Sequence, residues 1–443
     1  MVDGVNVGPI SGFPEWLPAE RLLEQRVLDT LRHRYELFGF APIETPAVER
    51  LEVLTAKGGV ERQIYTLGRP AEDGRDAQTS LGLHFDLTVP LARYVAAHRD
   101  QLVFPFRRYQ IQKVWRGERA QRGRYREFTQ CDIDVVGDGS LSLAHDAELP
   151  VVIDGAFDAI GVGDFRVHIS NRRVLTGLLG VHGITGEQAV EALRLIDRHD
   201  RSRPDRTEER LRELGAPDDL LKRLSPVLAS DDLGEVRELL AGVDPALKGL
   251  DQLAEVVDRA VTLGVAPDRL VTDFSIARGL DYYTGTVYET FVGGREAWGS
   301  VCSGGRYDDL TQAFTDRAYP GVGVSIGLSR LLALLIADGR LVPGPQVPTQ
   351  VLVTTLDPEH HLDDYLALGR ELREGDLPTE VNLEPGALRD QIAYASRKGI
   401  PLAVIAGARE FAAGTVTVRD LRDRSQATIP RADLLPYLRA RTA

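Results

Sequence analysis

Across residues 106–137 apolar and polar residues alternate on both sides of an arginine- and glycine-bearing centre, Arg119-Ala120-Gln121-Arg122-Gly123-Arg124-Tyr125-Arg126. Successive side chains of a strand point to opposite faces, so this pattern predicts two antiparallel strands joined by a long loop. On the second strand Cys131, Ile133 and Val135 share one face, while Gln130, Asp132 and Asp134 share the other. On the first, Gln110, Gln112, Arg116 and Glu118 lie together. A strand that is apolar on one side and amide-plus-carboxylate on the other fits two settings. One is a solvated sheet surface, the other the floor of a polar cleft.

The same residue types recur elsewhere. Residues 272–289 contain Arg278-Gly279-Leu280-Asp281-Tyr282-Tyr283-Thr284-Gly285-Thr286, Asp86-Leu87-Thr88 precedes an apolar run, and Gly304-Gly305-Arg306-Tyr307-Asp308 follows later. Arginine offers a fixed fork to phosphate oxygens, and glycine lets the backbone come close. Arginines, carboxylates and tyrosines among glycines suit a cleft for a phosphate-rich ligand and a small polar one. Signatures of other phosphate folds fail. There is no Gly-x-x-x-x-Gly-Lys-Ser/Thr, and Gly321-Val322-Gly323-Val324-Ser325-Ile326-Gly327 has isoleucine where a dinucleotide fingerprint needs glycine. That segment reads as a buried strand leading into the helix that carries Arg330.

At 443 residues the chain has room for roughly two to four domains. Three prolines and a glycine at 343–348 follow an apolar helix over 331–337 and mark a break. Beyond it strands and helices alternate, which predicts a compact α/β domain of about 95 residues. Residues 186–264 are almost strand-free, with Leu211, Leu214, Leu220, Leu221 and Leu224 at helical spacing, and read as a helical insertion. It interrupts a body formed by 1–185 and 265–340. Cys131 and Cys302 stand alone, with no Cys-x-x-Cys pair, so neither a disulfide framework nor a zinc site organises the fold, and a reducing cytoplasm is expected. The net charge of −13 argues against non-specific coating of nucleic acid or membrane, though local arginines can still hold a nucleic acid. No apolar run approaches the roughly 18 residues of a spanning helix, and no apolar core precedes Arg21, so neither membrane insertion nor a secretory leader is expected.

Taken together, these segments resemble a class II aminoacyl-tRNA synthetase, and within that class the histidyl-tRNA synthetase family. The carrying stretches are Phe85-Asp86-Leu87-Thr88-Val89-Pro90, Arg107-Arg108-Tyr109-Gln110-Ile111-Gln112-Lys113-Val114-Trp115-Arg116-Gly117-Glu118-Arg119 and Gly123-Arg124-Tyr125-Arg126-Glu127-Phe128. The pair specific to the family is 278–285 with 304–308, and motif 3 corresponds to 321–332. The resemblance implies an α+β fold: a class II antiparallel sheet core with a helical insertion, plus a C-terminal α/β anticodon-binding domain at 346–443. It implies ATP-dependent activation of histidine and transfer to tRNA(His), with Mg2+ accompanying ATP. Arg116 and Arg278 are the implied catalytic residues, and Arg116, Glu118 and Arg330 the ATP-binding ones. Asp86, Thr88, Gln130, Asp134, Tyr282 and Tyr283 are implied for histidine. Arg119, Gln121, Arg122 and Arg124 are implied for the tRNA acceptor end, and a homodimer through motif 1 for the assembly. A regulatory paralogue without activity and a sensor of uncharged tRNA share this core. The intact arginines and the C-terminal domain argue against both.

Overall fold

The computed structural model describes residues 6–56, 63–68, 80–121, 123–198, 204–277, 283–384 and 386–442. Contacts divide the chain into two compact units, Met1–Glu15 with Val27–Leu341 and Trp16–Arg26 with Val342–Ala443. After α1 (Pro18–Leu37) come β1 (Ala41–Pro42), β2 (Val48–Arg50), α2 (Leu51–Leu54), β3 (Thr66–Leu67), β4 (Leu81–Leu83) and α3 (Thr88–His98). Then follow β5 (Phe106–Trp115), β6 (Glu127–Val136), α4 (Ala144–Ile160), β7 (Phe165–Asn171) and α5 (Arg172–Val181). A helical run, α6 (Gly186–Asp197), α7 (Pro204–Glu213), α8 (Asp218–Ala229), α9 (Leu233–Leu239) and α10 (Asp244–Thr262), precedes β8 (Leu270–Thr272). The unit closes with β9 (Thr286–Val292), β10 (Cys302–Tyr307), β11 (Gly321–Gly327) and α11 (Leu328–Ala337).

Eight strands form one sheet in the order β1-β5-β6-β11-β10-β9-β7-β8. The pairs from β5 to β7 are antiparallel, and a parallel strand sits at each edge. β5 and β6 form the hairpin expected from alternation, in register from Phe106 opposite Val136 to Trp115 opposite Glu127. Cys131, Ile133 and Val135 enter the main core with Leu31 and Tyr35 of α1 and Ile153 and Phe157 of α4. Burial of such side chains contributes on the order of 1.5–3 kcal/mol each. The opposite face is buried too, with Gln130 at 6%, Asp132 at 2% and Asp134 at 3% exposure. This decides the choice left open by the pattern: the polar face is a covered floor, not a solvated surface. Leu250, Leu253 and Val256 of α10 belong to the same core cluster as the sheet.

The second unit contains β12 (Val351–Val353), α12 (Pro358–Glu374), β13 (Thr379–Val381), α13 (Leu388–Lys398), β14 (Leu402–Ile405) and α14 (Ala408–Ala413). It ends with β15 (Thr415–Asp420), β16 (Gln426–Pro430) and α15 (Leu434–Thr442). Its sheet runs β13-β12-β14-β15-β16, parallel on one side of β14 and antiparallel on the other. Tyr365, Leu368 and Leu372 of α12 pack with Val351, Val353, Leu402 and Val404 as its own core. Alternation of strands and helices does not predict β16, which follows β15 directly. It is an edge strand with no fully buried residue, so it carries too little apolar signal to stand out.

Candidate active site

The floor of the site comes from three adjacent strands. β11 lies beside β6 so that Ser325 faces Asp132, Gly323 faces Asp134 and Gly327 faces Gln130. On the other side β5 sets Arg108 opposite Asp134. Arg108 is fully buried, and its Nη2 stands 2.6 Å from Asp134 Oδ2. Tyr307 of β10 donates its hydroxyl to Asp134 Oδ1 at 2.7 Å. Such an arrangement needs room: a Cβ on residue 323 would stand 2.0 Å from Asp134 Oδ1. The glycine is therefore what lets the carboxylate lie flat between β5 and β10.

Burial governs the acid–base state of this floor, because a charged carboxylate loses its water. It pushes Asp132 up to about 7, against the pull of Arg108 and with the neighbouring Asp134 adding to the rise. Asp134 is pushed up to about 6 by burial, opposed by Arg108 and the Tyr307 hydrogen bond. Asp86 is also raised by burial, opposed by the Val89 N–H that it accepts at 3.0 Å and by Arg116. That bond satisfies an N–H in the first turn of α3 from the residue before its N-cap, Leu87. Thr88, Asp132, Asp134, Tyr283 and Tyr307 wall a recess of about 20 Å³.

Beside the recess lies a cleft of about 340 Å³. Arg116, just past the end of β5, has its guanidinium 4.4 Å from the Phe85 ring and 5.0 Å from the Phe128 ring, and its Nε donates to Phe85 O at 3.2 Å. Two aromatic rings fix the plane of the fork, which a flexible side chain otherwise loses to rotamer freedom. Arg330 of α11, also lining the cleft, donates from Nε to Gly123 O at 3.1 Å and from Nη1 to Ser300 O at 2.6 Å. Gln121 and Arg124 exchange backbone hydrogen bonds of 3.1 and 2.9 Å, which closes the loop into a tight turn. Gly123 in that turn has φ of 70°, and a Cβ there would meet the Trp298 ring at 2.8 Å. Glu118 stands 3.8 Å from Arg124.

Of the residues expected from sequence, Arg116, Glu118, Arg124, Gln130, Tyr283 and Arg330 line the cleft. Thr88, Asp134 and Tyr283 line the recess, and Asp86 interacts with both floor aspartates. Arg119 and Gln121 are exposed on the turn. Arg122, Arg278 and Tyr282 lie outside the described residues. One expectation is corrected. Arg306, grouped with the phosphate-type clusters, instead points to α4, where its Nη2 and Nε reach Asp146 at 2.6 and 3.1 Å. Strand alternation is the reason: Tyr307 takes the site face and Arg306 the other. Gln110 and Gln112 turn to Thr45, at 3.0 and 2.8 Å, and not into the cleft. Sequence reasoning had no role for Arg108, Asp132 or Tyr307. Alternation already grouped Asp132 with Gln130 and Asp134, and the hairpin register would have placed Arg108 against Asp134.

Two arginines held along one cleft can grip a polyphosphate, and the acidic recess between tyrosines that adjoins it offers carboxylate and phenol groups to a small polar ligand lying in the cleft. Among the described residues no group of three or more His, Cys, Asp or Glu side chains is arranged to hold a metal ion. No helix of the described residues is long and apolar enough to cross a membrane.

A family profile described as histidyl-tRNA synthetase matches residues 12–331, and one described as an anticodon binding domain matches 350–441. The histidine–tRNA ligase of Micrococcus luteus is 45% identical over 455 residues, covering 97% of this chain and 98% of that protein. That of Xylella fastidiosa (strain M23) is 44% identical over 450 residues, covering 96% of each. The crystal structure of histidyl-tRNA synthetase from Nostoc sp. PCC 7120 matches with a TM-score of 0.88 at 40% identity, covering 99% of this chain and 100% of that one. A matched profile over most of the chain, and relatives of this identity over nearly all of it, leave one conclusion: the chain belongs to the histidyl-tRNA synthetase family.

Proposed function

We propose that this cleft joins histidine to ATP and passes the histidyl group to the 3′ end of tRNA(His), with the residues acting as follows. In the first step a carboxylate oxygen of histidine attacks the α-phosphorus of ATP. The bond from that phosphorus to pyrophosphate breaks, and histidyl-adenylate forms. In the second, a hydroxyl of the terminal adenosine attacks the activated carbonyl, and AMP leaves. The observation that carries the reading is that Arg116 and Arg330 line one cleft that adjoins a buried acidic recess.

Arg116, held in its aromatic clamp, binds the α-phosphate, where negative charge grows in the transition state. A preorganised guanidinium at that point lowers the barrier electrostatically. Arg278 is assigned a second cation at the same phosphate on the family resemblance. Arg330 takes the γ-phosphate, and Glu118 the adenine side. Magnesium enters as part of the MgATP substrate. The α-ammonium of histidine is received by Asp86, Thr88 and Gln130. Asp134 and Tyr283 read the imidazole nitrogens, with Tyr282 beside them. A carboxylate has about four acceptor sites, so Asp134 keeps capacity for a ligand after accepting from Tyr307 and pairing with the Arg108 guanidinium. Side chains lacking the nitrogens leave those groups unpaired, and discrimination of about 10⁴ or more follows without editing.

Arg119, Gln121, Arg122 and Arg124 meet the tRNA acceptor end. Residues 1–185 and 265–340 form the catalytic core, 186–264 the helical insertion, and 346–443 read the anticodon, whose splayed bases suit side-chain recognition. The enzyme works in the cytoplasm as a homodimer. Histidine-dependent ATP–pyrophosphate exchange, with the other amino acids as controls, tests the core of this reading. Exchange with histidine alone is expected, and none from folded protein overturns it.

A further inference from the structure

Asp132 is 2% exposed and lies in the wall of the recess, yet no role in the charging reaction above falls to it. Its neighbour two residues on differs in one respect. Both oxygens of Asp134 are engaged, Oδ2 by Arg108 at 2.6 Å and Oδ1 by Tyr307 at 2.7 Å. No ion pair reaches Asp132 among the described residues; its partners are the neutral Ser325 hydroxyl and, at 3.5 Å, Gln130 Nε2. Around it stand two further buried carboxylates, Asp86 and Asp134, against one fully buried guanidinium. Burial holds these carboxyls toward their protonated forms, with Arg116 beside Asp86 as a further cation, and a cationic ligand at the floor would favour their ionised forms. A second observation points the same way. Gln130, 6% exposed, lies with its Nε2 3.5 Å from Asp132 Oδ1, and its Oε1 is buried with no hydrogen-bond partner. A buried acceptor of this kind is costly unless a donor arrives.

We propose that Asp132 is a specificity-determining residue that receives the α-ammonium group of the amino-acid substrate, together with the Gln130 carbonyl oxygen and Asp86. The ammonium is the group of histidine that stays cationic at neutral pH, and it has three N–H donors to divide among these acceptors. Asp132 thereby selects substrates by their amino group, while Asp134 and the tyrosines select them by the ring. The proposal rests on the histidine-charging reading, and its test separates the two.

The experiment compares wild type and Asp132→Asn in ATP–pyrophosphate exchange, with two inhibitors. Histidinol keeps the ammonium and lacks the carboxylate. Imidazole-4-propionate keeps the ring and lacks the ammonium. In the variant, KM for histidine and the inhibition constant for histidinol should rise at least about tenfold, the loss expected of a charge-assisted hydrogen bond. KM for ATP and inhibition by imidazole-4-propionate should stay within about twofold. Equal weakening of both inhibitors, or an unchanged histidine KM, overturns the assignment. Wild-type protein without histidine-dependent exchange overturns the charging reading itself, in the same assay and before any variant is considered. Should Asp132→Asn fail to fold, Asp132→Ser removes the charge without adding an amide, and the same comparison decides.

Discussion

Asp132 is a carboxylate that the fold would hold more comfortably as a neutral group. Burial lifts it from its ordinary value of 3.8 to about 7, with Asp134 and Asp86 adding to the rise and Arg108 and the Ser325 hydroxyl opposing it. A carboxyl whose pKa rises on folding keeps its proton more tightly in the folded chain. Its contribution to stability is therefore fully present below 3.8 and is lost as pH climbs through about 7. Asp132→Asn should raise the melting temperature of the ligand-free protein at pH 8 by at least about 2 °C, and change it little at pH 5, where the carboxyl is already protonated. Differential scanning fluorimetry at both pH values checks this; an equal shift at both would show the effect is packing, not charge. Arg116 makes a different demand. Its charge matters, but so does a plane fixed between Phe85 and Phe128. Arg116→Lys keeps the charge and loses the planar fork, so kcat for exchange should fall by about 10²-fold. Steady-state exchange kinetics should show the histidine KM moving far less. A lysine variant with near wild-type turnover would mean that charge alone suffices.

At the level of elements the site depends on how closely three strands lie. β11 passes under Asp134 with glycine at 323, and the built Cβ there would also stand 2.6 Å from Ile133 O. Neither neighbour is a loose side-chain tip that can swing aside. Gly323→Ala should cost about 1–3 kcal/mol in urea unfolding, the usual range for overpacking, and raise the histidine KM by tilting Asp134 off Arg108. A variant with normal stability and normal KM would mean that the strands have slack the geometry does not show. The β5–β6 hairpin was legible in the sequence because a period of two reports directly on which face is covered. β11 and the helix of Arg330 were legible for a related reason, an apolar run with one basic residue at its end. β16 was not, since it is a short edge strand with no fully buried residue and a single large apolar side chain, Ile429, half-buried against the core. Helices in the 186–264 stretch were visible as leucines at helical spacing. That their apolar faces enter the same core as the sheet was not visible, because spacing describes one helix at a time.

On the scale of the whole molecule, two units with separate cores invite a separation of functions. A chain lacking residues 346–443 should retain histidine-dependent pyrophosphate exchange far better than it retains tRNA charging. Charging assays with tRNA(His) check this, and full charging by the shortened chain would remove the anticodon assignment. The net charge of −13 leaves tRNA binding to local arginines, several of which cluster on the turn around Gly123. By itself the sequence determined the fold class, the break near 343–348, and several of the charged and polar residues that line the cleft. It could do so because periodicity, turn residues and ordered motifs are local properties that survive without coordinates. Only the tertiary structure decided which of two similar arginines serves the site. Arg116 and Arg306 both sit among glycines and aromatics, but one faces the cleft and the other locks onto Asp146 inside the body. It also decided that Asp132 and Asp134, alike in sequence and on the same face, differ in what holds them. Partners across strands depend on register and burial, and those exist only once distant segments have come together.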